Sequence, residues 1–121
     1  YGVIHNPNKY HDNGCDPYIA DVARHPHILS KLRLTVLDGV VAQCHGGPAY
    51  RAGATFALGT VAASTDPVAA DVWAWQEIEA ERKRRGMPSL EKAGRPVRFL
   101  ATAAEHGLGV ADPEKLRLVT I

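Results

Sequence analysis

No stretch of this sequence approaches the roughly 20 consecutive apolar residues of a membrane-spanning helix, so no membrane span is expected. Cysteine is scarce. Cys15 and Cys44 are too few for a disulfide scaffold and their spacing matches no zinc pattern, although one bridge between them is compatible with the sequence. No charge sign dominates: 14 Lys and Arg against 13 Asp and Glu leave a formal net charge of +1. With the cations scattered, the electrostatic footprint of a nucleic-acid binder is missing. Neither GxGxxG nor a P-loop occurs, which removes the usual nucleotide fingerprints, and there are no repeats or low-complexity segments. The chain opens on Tyr1 with no signal peptide, and the expectation is an excised or processed part of something longer. Its 121 residues suffice for one small domain with a real core.

What is present centres on Thr55 to Gly86. Phe56 to Ala63 is almost wholly apolar and short, which suits a strand covered on both faces. Asp66 is a strong N-cap residue and Pro67 fits the first helical position, where no amide hydrogen is needed. Val68, Val72, Trp75 and Ile78 form one apolar helical face, so the expectation is a helix over Pro67 to Arg85. Arg82, Lys83, Arg84 and Arg85 close it as a solvated cationic end, with Glu79–Lys83 and Glu81–Arg85 at four-residue spacing and Gly86 as terminator. Trp73 and Trp75 fall on different faces and cannot share one core.

In chain order, Tyr1 to Asp16 lacks periodicity and reads as a polar loop carrying His5 and His11, with Asp12 and Cys15 nearby. Asp16-Pro17 repeats the cap-plus-proline signal before a short helix over Pro17 to Arg24, and a further turn at His27 to Lys31 can follow. Leu32 to Leu37 reads as a strand ending at Asp38-Gly39, and Val40 to Gly53 as a glycine-rich loop. Pro96 to His106 reads as a second amphipathic helix stopped by Gly107, and Leu116 to Ile121 as the last strand. Strands separated by helices favour parallel pairing with right-handed crossovers. The expected class is therefore α/β, a mostly parallel sheet with flanking helices, with residues 1–121 a single domain and an incomplete piece of a larger one.

On that reading the chemistry gathers beyond the carboxyl ends of the strands. Asp38 and Asp66 would end neighbouring strands about 4.8 Å apart, and like charges that close share a proton, pair with a cation or bind a metal. Asp38 and Asp66 are thus the candidate ligands of a divalent cation. His45 or His11 is the candidate general base, and Gly46, Gly47, Ser64 and Thr65 are candidate contacts to a bound group or small anionic ligand. The alternative is structural: Asp66 caps its helix and Asp38 begins a turn. Asp71, in the first turns of the long helix, can reach back to the site or stay solvated.

GVIHNPNKYH, LTVLDGVVAQCHGGP, STDPVAADVWA and GLGVADPEKLRLV together resemble the C-terminal part of the domain-of-unknown-function 362 family. The likeness runs over nearly the whole chain and is most specific at ASTDPVAAD and at the Asp-Gly loop ending in Gly-Pro. Members show an acidic residue before that loop where this chain has Gln43, Cys44 and His45. The resemblance implies a missing N-terminal part of the same protein as partner, and an iron–sulfur cluster lying outside these residues. The location expected is cytoplasmic or, as the resemblance implies for some members, exported through a twin-arginine signal. Two functions follow as expectations: an enzyme fragment using a metal-polarised substrate, or a non-catalytic structural or assembly module.

Overall fold

Phe56 to Ala63 does lie in a strand, but its neighbour runs the opposite way. The computed structural model describes residues 2–121. Its sheet has two strands, β1 (Thr35–Gln43) and β2 (Thr55–Ser64), paired antiparallel with Thr35 opposite Ser64 and Gln43 opposite Thr55. The expected mostly parallel sheet is therefore wrong. The connection from Cys44 to Ala54 holds no α-helix, only one 3-10 turn at Ala52–Ala54, and parallel neighbours need a crossover, usually helical, of a dozen or more residues. A return loop makes a hairpin instead. Its base is closed by the Cys44 amide donating to the Ala54 carbonyl at 2.9 Å.

β1 also extends beyond the expected strand. Asp38-Gly39 does not end it but forms an irregularity in its middle, where the register slips between Gly39 and Val41. Gly59 on β2 takes φ +69° there, the left-handed value that a glycine bulge needs. The Asp38 carboxylate accepts the Val40 amide at 3.0 Å and so caps the bulge.

Four α-helices complete the fold among the described residues: α1 (Tyr18–Ala23), α2 (Pro26–Leu29), α3 (Pro67–Arg84) and α4 (Phe99–Glu105). α3 follows the local signals closely. Asp66 caps it through Ala69, Pro67 opens it, and Gly86 at φ +67° closes it. The Gly86 and Met87 amides return to the Lys83 and Arg82 carbonyls, the paired bonds of a Schellman ending. α4 starts later than expected and ends the same way at Gly107, with Leu108 folding back into the core. Asp16 does not cap α1; its carboxylate accepts the Thr102 hydroxyl at 2.6 Å and ties the N-terminal loop to α4. Leu116 to Ile121 forms no ladder and is not a strand.

The core lies among the helices. Ala20, Val68, Val72, Leu100, Ala103 and Leu108 are its buried members, and Trp75 packs against them while Trp73 does not. α3 touches both strands, and the strand residues alternate between half-buried and exposed. The exposed set is nearly all apolar: Val36, Val40, Val41, Ala57, Gly59, Val61 and Ala63, with Asp38 its one charge. Val36 and Val61 keep 60% and 63% of their surface in solvent, so one face of the hairpin is left without a covering layer.

Candidate functional site

Asp66 is the most constrained of the expected site residues. One carboxylate oxygen accepts the Ala69 amide at 2.8 Å and the other accepts the Val110 amide at 2.9 Å. The Ser64 hydroxyl accepts the Asp66 amide at 3.0 Å, which fixes the turn that aims the carboxylate. Gly109 completes the arrangement, since a Cβ there would collide with the Asp66 carboxyl group. The residue thus joins the end of β2, the start of α3 and the chain that follows α4.

A cleft of about 210 Å³ opens beside it, bordered by Ser64, Asp66, Trp73, Lys115 and Arg117. Lys115 is paired with Asp112 at 3.3 Å. The cleft lies at the C-terminal end of β2, the edge where sequence reasoning expects a ligand. Thr65 is exposed at the turn and does not line it.

The other expected residues lie elsewhere. Asp38 sits three places along β1 from Thr35, the partner of Ser64, which places it about 10 Å away along the ladder. His45 follows the far end of β1, roughly 30 Å along the strand from Thr35. The neighbouring-strand geometry that would crowd Asp38 against Asp66 and fold His45 over them is replaced by the hairpin. His11 lies between two single turns of 3-10 helix, with its Nδ1 at 2.9 Å from the Pro7 carbonyl, and does not line the cleft. Among the described residues, no group of three or more His, Cys, Asp or Glu side chains is arranged to hold a metal ion. Cys15 and Cys44 are free thiols.

Gly46 and Gly47 belong to the hairpin loop. Gly46 takes φ +75° and the Arg51 side chain lies where a Cβ would stand. Gln43 pins the same loop, its side-chain amide donating to the Ala49 carbonyl at 2.9 Å and its oxygen accepting the Arg51 amide at 2.8 Å. The loop borders an open concavity of about 310 Å³ with His45, Arg51 and Arg85.

The cationic end of α3 is not the solvated terminus that its composition implies. Arg82 is 3% exposed and donates to the Cys44 carbonyl at 2.7 Å and to the Pro88 carbonyl at 2.6 and 2.9 Å. Arg85 donates to the Gly53 and Thr55 carbonyls at 2.8 and 2.7 Å. Both sides of the hairpin loop are therefore clamped to the helix by guanidinium forks, whose planar donors suit paired carbonyls. Glu79 does not pair with Lys83; it accepts the Trp75 indole N–H at 3.2 Å and the Leu90 amide at 2.9 Å. Non-local carbonyl partners of this kind carry no sequence signal, and reasoning from composition missed them.

Glu81, buried beside this clamp, accepts Arg84 through both its oxygens at 2.6 Å and Arg85 at 2.6 Å. The Arg84 hydrogen bonds, reinforced by Arg85, outweigh its burial and lower the carboxyl from 4.5 to about 2. A depressed carboxyl stabilises the fold fully above its unfolded value and loses that contribution as pH falls towards 2. The stability difference between the unmutated chain and Glu81→Gln should therefore hold above pH 4.5 and shrink to nothing near pH 2. Urea titrations followed by circular dichroism across that range check it. A difference that does not change with pH would show that the Glu81 charge contributes nothing.

The fold and site define a small mixed helix–hairpin module with a cleft at one end of the hairpin. A family model described as domain of unknown function (DUF362) matches residues 1–76, more than half of the sequence, and the chain belongs to that family. The match takes in the hairpin, Asp66 and Asp71, and stops within α3. No curated protein and no solved structure matches the chain.

Proposed function

We propose that this domain is a non-catalytic assembly module whose hairpin supplies two strands to a larger sheet, completed by an N-terminal part of the same protein. The observation that carries this reading is the uncovered apolar face of β1 and β2. A lone two-stranded hairpin is marginally stable, and long apolar edges are a liability that proteins blunt with charge or cover. β2 contains no charged residue at all. In this reading Asp66 and Asp38 are a helix cap and a bulge cap, as their amide partners support.

Val61→Lys tests the reading because the two environments give opposite signs. Val61 stands directly opposite Asp38. In residues 1–121 alone, the new lysine gains a cross-strand partner and stability should change by roughly 0 to +1 kcal/mol. In the longer polypeptide the same lysine enters a covered apolar layer and should cost several kcal/mol. Equal and small effects in both would sink the assembly reading.

A second reading keeps a ligand: a small anion in the cleft at Ser64 and Asp66, met by Lys115 and Arg117 with Trp73 as an apolar wall. The cleft itself favours it. A divalent cation on Asp66 belongs to this reading, whereas Asp38, His45 and His11 do not line the cleft. Melts with chelator, with a panel of divalent ions and with small carboxylates test it: a ligand that raises the melting temperature supports it. No shift with any of them removes it.

A further inference from the structure

A separate cleft of about 70 Å³ lies where α1, α3 and α4 meet, walled by Ala20, Ala23, Val68, Phe99 and Ala103. Its single polar lining residue is Asp71. Leu29 and Leu32 stand on its rim with 45% and 37% of their surface exposed. Asp71 has no hydrogen bond or ion pair among the described residues. Its side chain is exposed at the lip, while the apolar atoms packed along its flank raise its carboxyl above the ordinary value. A carboxylate left without a partner against an apolar wall is a standing attraction for a cation.

The volume narrows the kind of cation. Small-molecule sites measure roughly 300 to 1,000 Å³, so about 70 Å³ takes the end of one side chain and not a whole metabolite. We infer that this cleft receives a lysine side chain of a partner protein, with the ammonium on Asp71 and the flanking apolar residues of the partner on Leu29 and Leu32. Lysine fits better than arginine because its methylene stem is slim and apolar, while its compact ammonium sits at the lip where water meets the remaining protons. A guanidinium would turn two N–H groups to the carboxylate and hold the others against alanine and phenylalanine, with no further acceptor side chain among the lining residues. The proposal concerns a different surface from the uncovered hairpin face and does not depend on the assembly reading.

Nitrogen-15-labelled residues 1–121 titrated with three probes test it: n-butylammonium, n-butanol and the capped tripeptide acetyl-Leu-Lys-Leu-amide. Butylammonium should shift the amides of residues 68–72 and 99–103 with a dissociation constant on the order of millimolar. Butanol should bind at least about tenfold more weakly, and the tripeptide about tenfold more tightly through the rim leucines. Asp71→Asn should weaken both cations by about tenfold or more with the circular dichroism spectrum unchanged. Ala23→Leu, which fills the cleft and leaves the carboxylate, should abolish binding of both cations. If butanol binds as well as butylammonium, or Asp71→Asn leaves affinity unchanged, the cleft is only an apolar crevice. If the free amine binds as tightly as the tripeptide, the rim takes no part and the partner-protein proposal falls.

Discussion

Arg82→Met should lower the melting temperature by roughly 10 °C. Methionine matches the length of the stem and keeps the site apolar, so packing changes little. What it removes is the fork that joins the Cys44 carbonyl on the hairpin loop to the Pro88 carbonyl after α3. Cys44 is buried, so its carbonyl lies where water does not easily replace the donor, while the bonds to the carbonyl of exposed Pro88 are only part-buried. An unsatisfied buried acceptor costs about 1 to 3 kcal/mol, so the Cys44 carbonyl with a smaller share from Pro88 gives about 2 to 3 kcal/mol. Arg82→Lys should recover less than half, because one ammonium cannot reach both carbonyls in the geometry of the fork. The charge itself is favoured where it stands, in the last turn of α3, at the negative end of the helix dipole. Thermal melts and hydrogen exchange at Cys44 and Ala54 check the prediction. A loss below about 3 °C, with exchange unchanged at the base of the loop, would mean that the carbonyls find other donors.

The contrast between Arg82 and Asp66 explains how much of this fold was legible in the sequence. Signals that act within one turn of backbone translate directly. Asp66-Pro67 begins α3, Gly86 and Gly107 end α3 and α4, and each works through a φ value or an amide three or four residues away. The direction of strand pairing is a non-local property, and there the expectation failed. It rested on counting helices along the whole chain. The decisive stretch is the one between the strands, Cys44 to Ala54, which is glycine-rich and without helical periodicity. A connection of that kind returns the chain antiparallel.

The candidate site follows the same division. The turn that brings Ser64 and Asp66 together at the end of β2 was legible, and both residues border a cleft there. Which residues join them there was not. Val110 and Gly109 come from a segment more than 40 residues later, with |i−j| of 44 for the Val110 bond, and no periodicity links the two. Asp38 and His45 looked like companions of Asp66 only while the strands were taken as parallel neighbours. The antiparallel register moves them along and beyond β1, and that single change dissolves the crowded carboxylate edge. The burial of Arg82 was hidden for a related reason: a run of cations at a helix end has the composition of a solvated face, and its carbonyl partner on Cys44 is 38 residues away.

The contact between Asp66 and Gly109 yields the second large effect. Asparagine and aspartate cap helices about equally well, so a residue that only capped α3 would tolerate Asp66→Asn at small cost. Here both carboxylate oxygens are in use, one on the Ala69 amide and one on the Val110 amide. Asparagine offers one acceptor oxygen, and its amino group would face an N–H donor. Asp66→Asn should therefore cost about 1 to 3 kcal/mol, and Asp66→Ala, which loses both bonds, about 2 to 4 kcal/mol. Gly109→Ala produces the same defect from the other side. Its Cβ would displace the carboxylate, and even the farther oxygen, Oδ2, lies only 2.9 Å from that position. The short aspartate stem can swing clear only by giving up both amides, so the expected loss is again about 2 to 4 kcal/mol. The two defects have one cause, and so their effects should not add. In the double variant, Asp66→Ala with Gly109→Ala, the methyl group meets no carboxylate, and the total cost should lie near that of Asp66→Ala alone. Urea denaturation of the four proteins, run in chelator to exclude any contribution from metal, measures the cycle. Additive costs would mean that Gly109 is needed for its backbone alone, and that the close approach to Asp66 is not what holds the end of α4 to the start of α3.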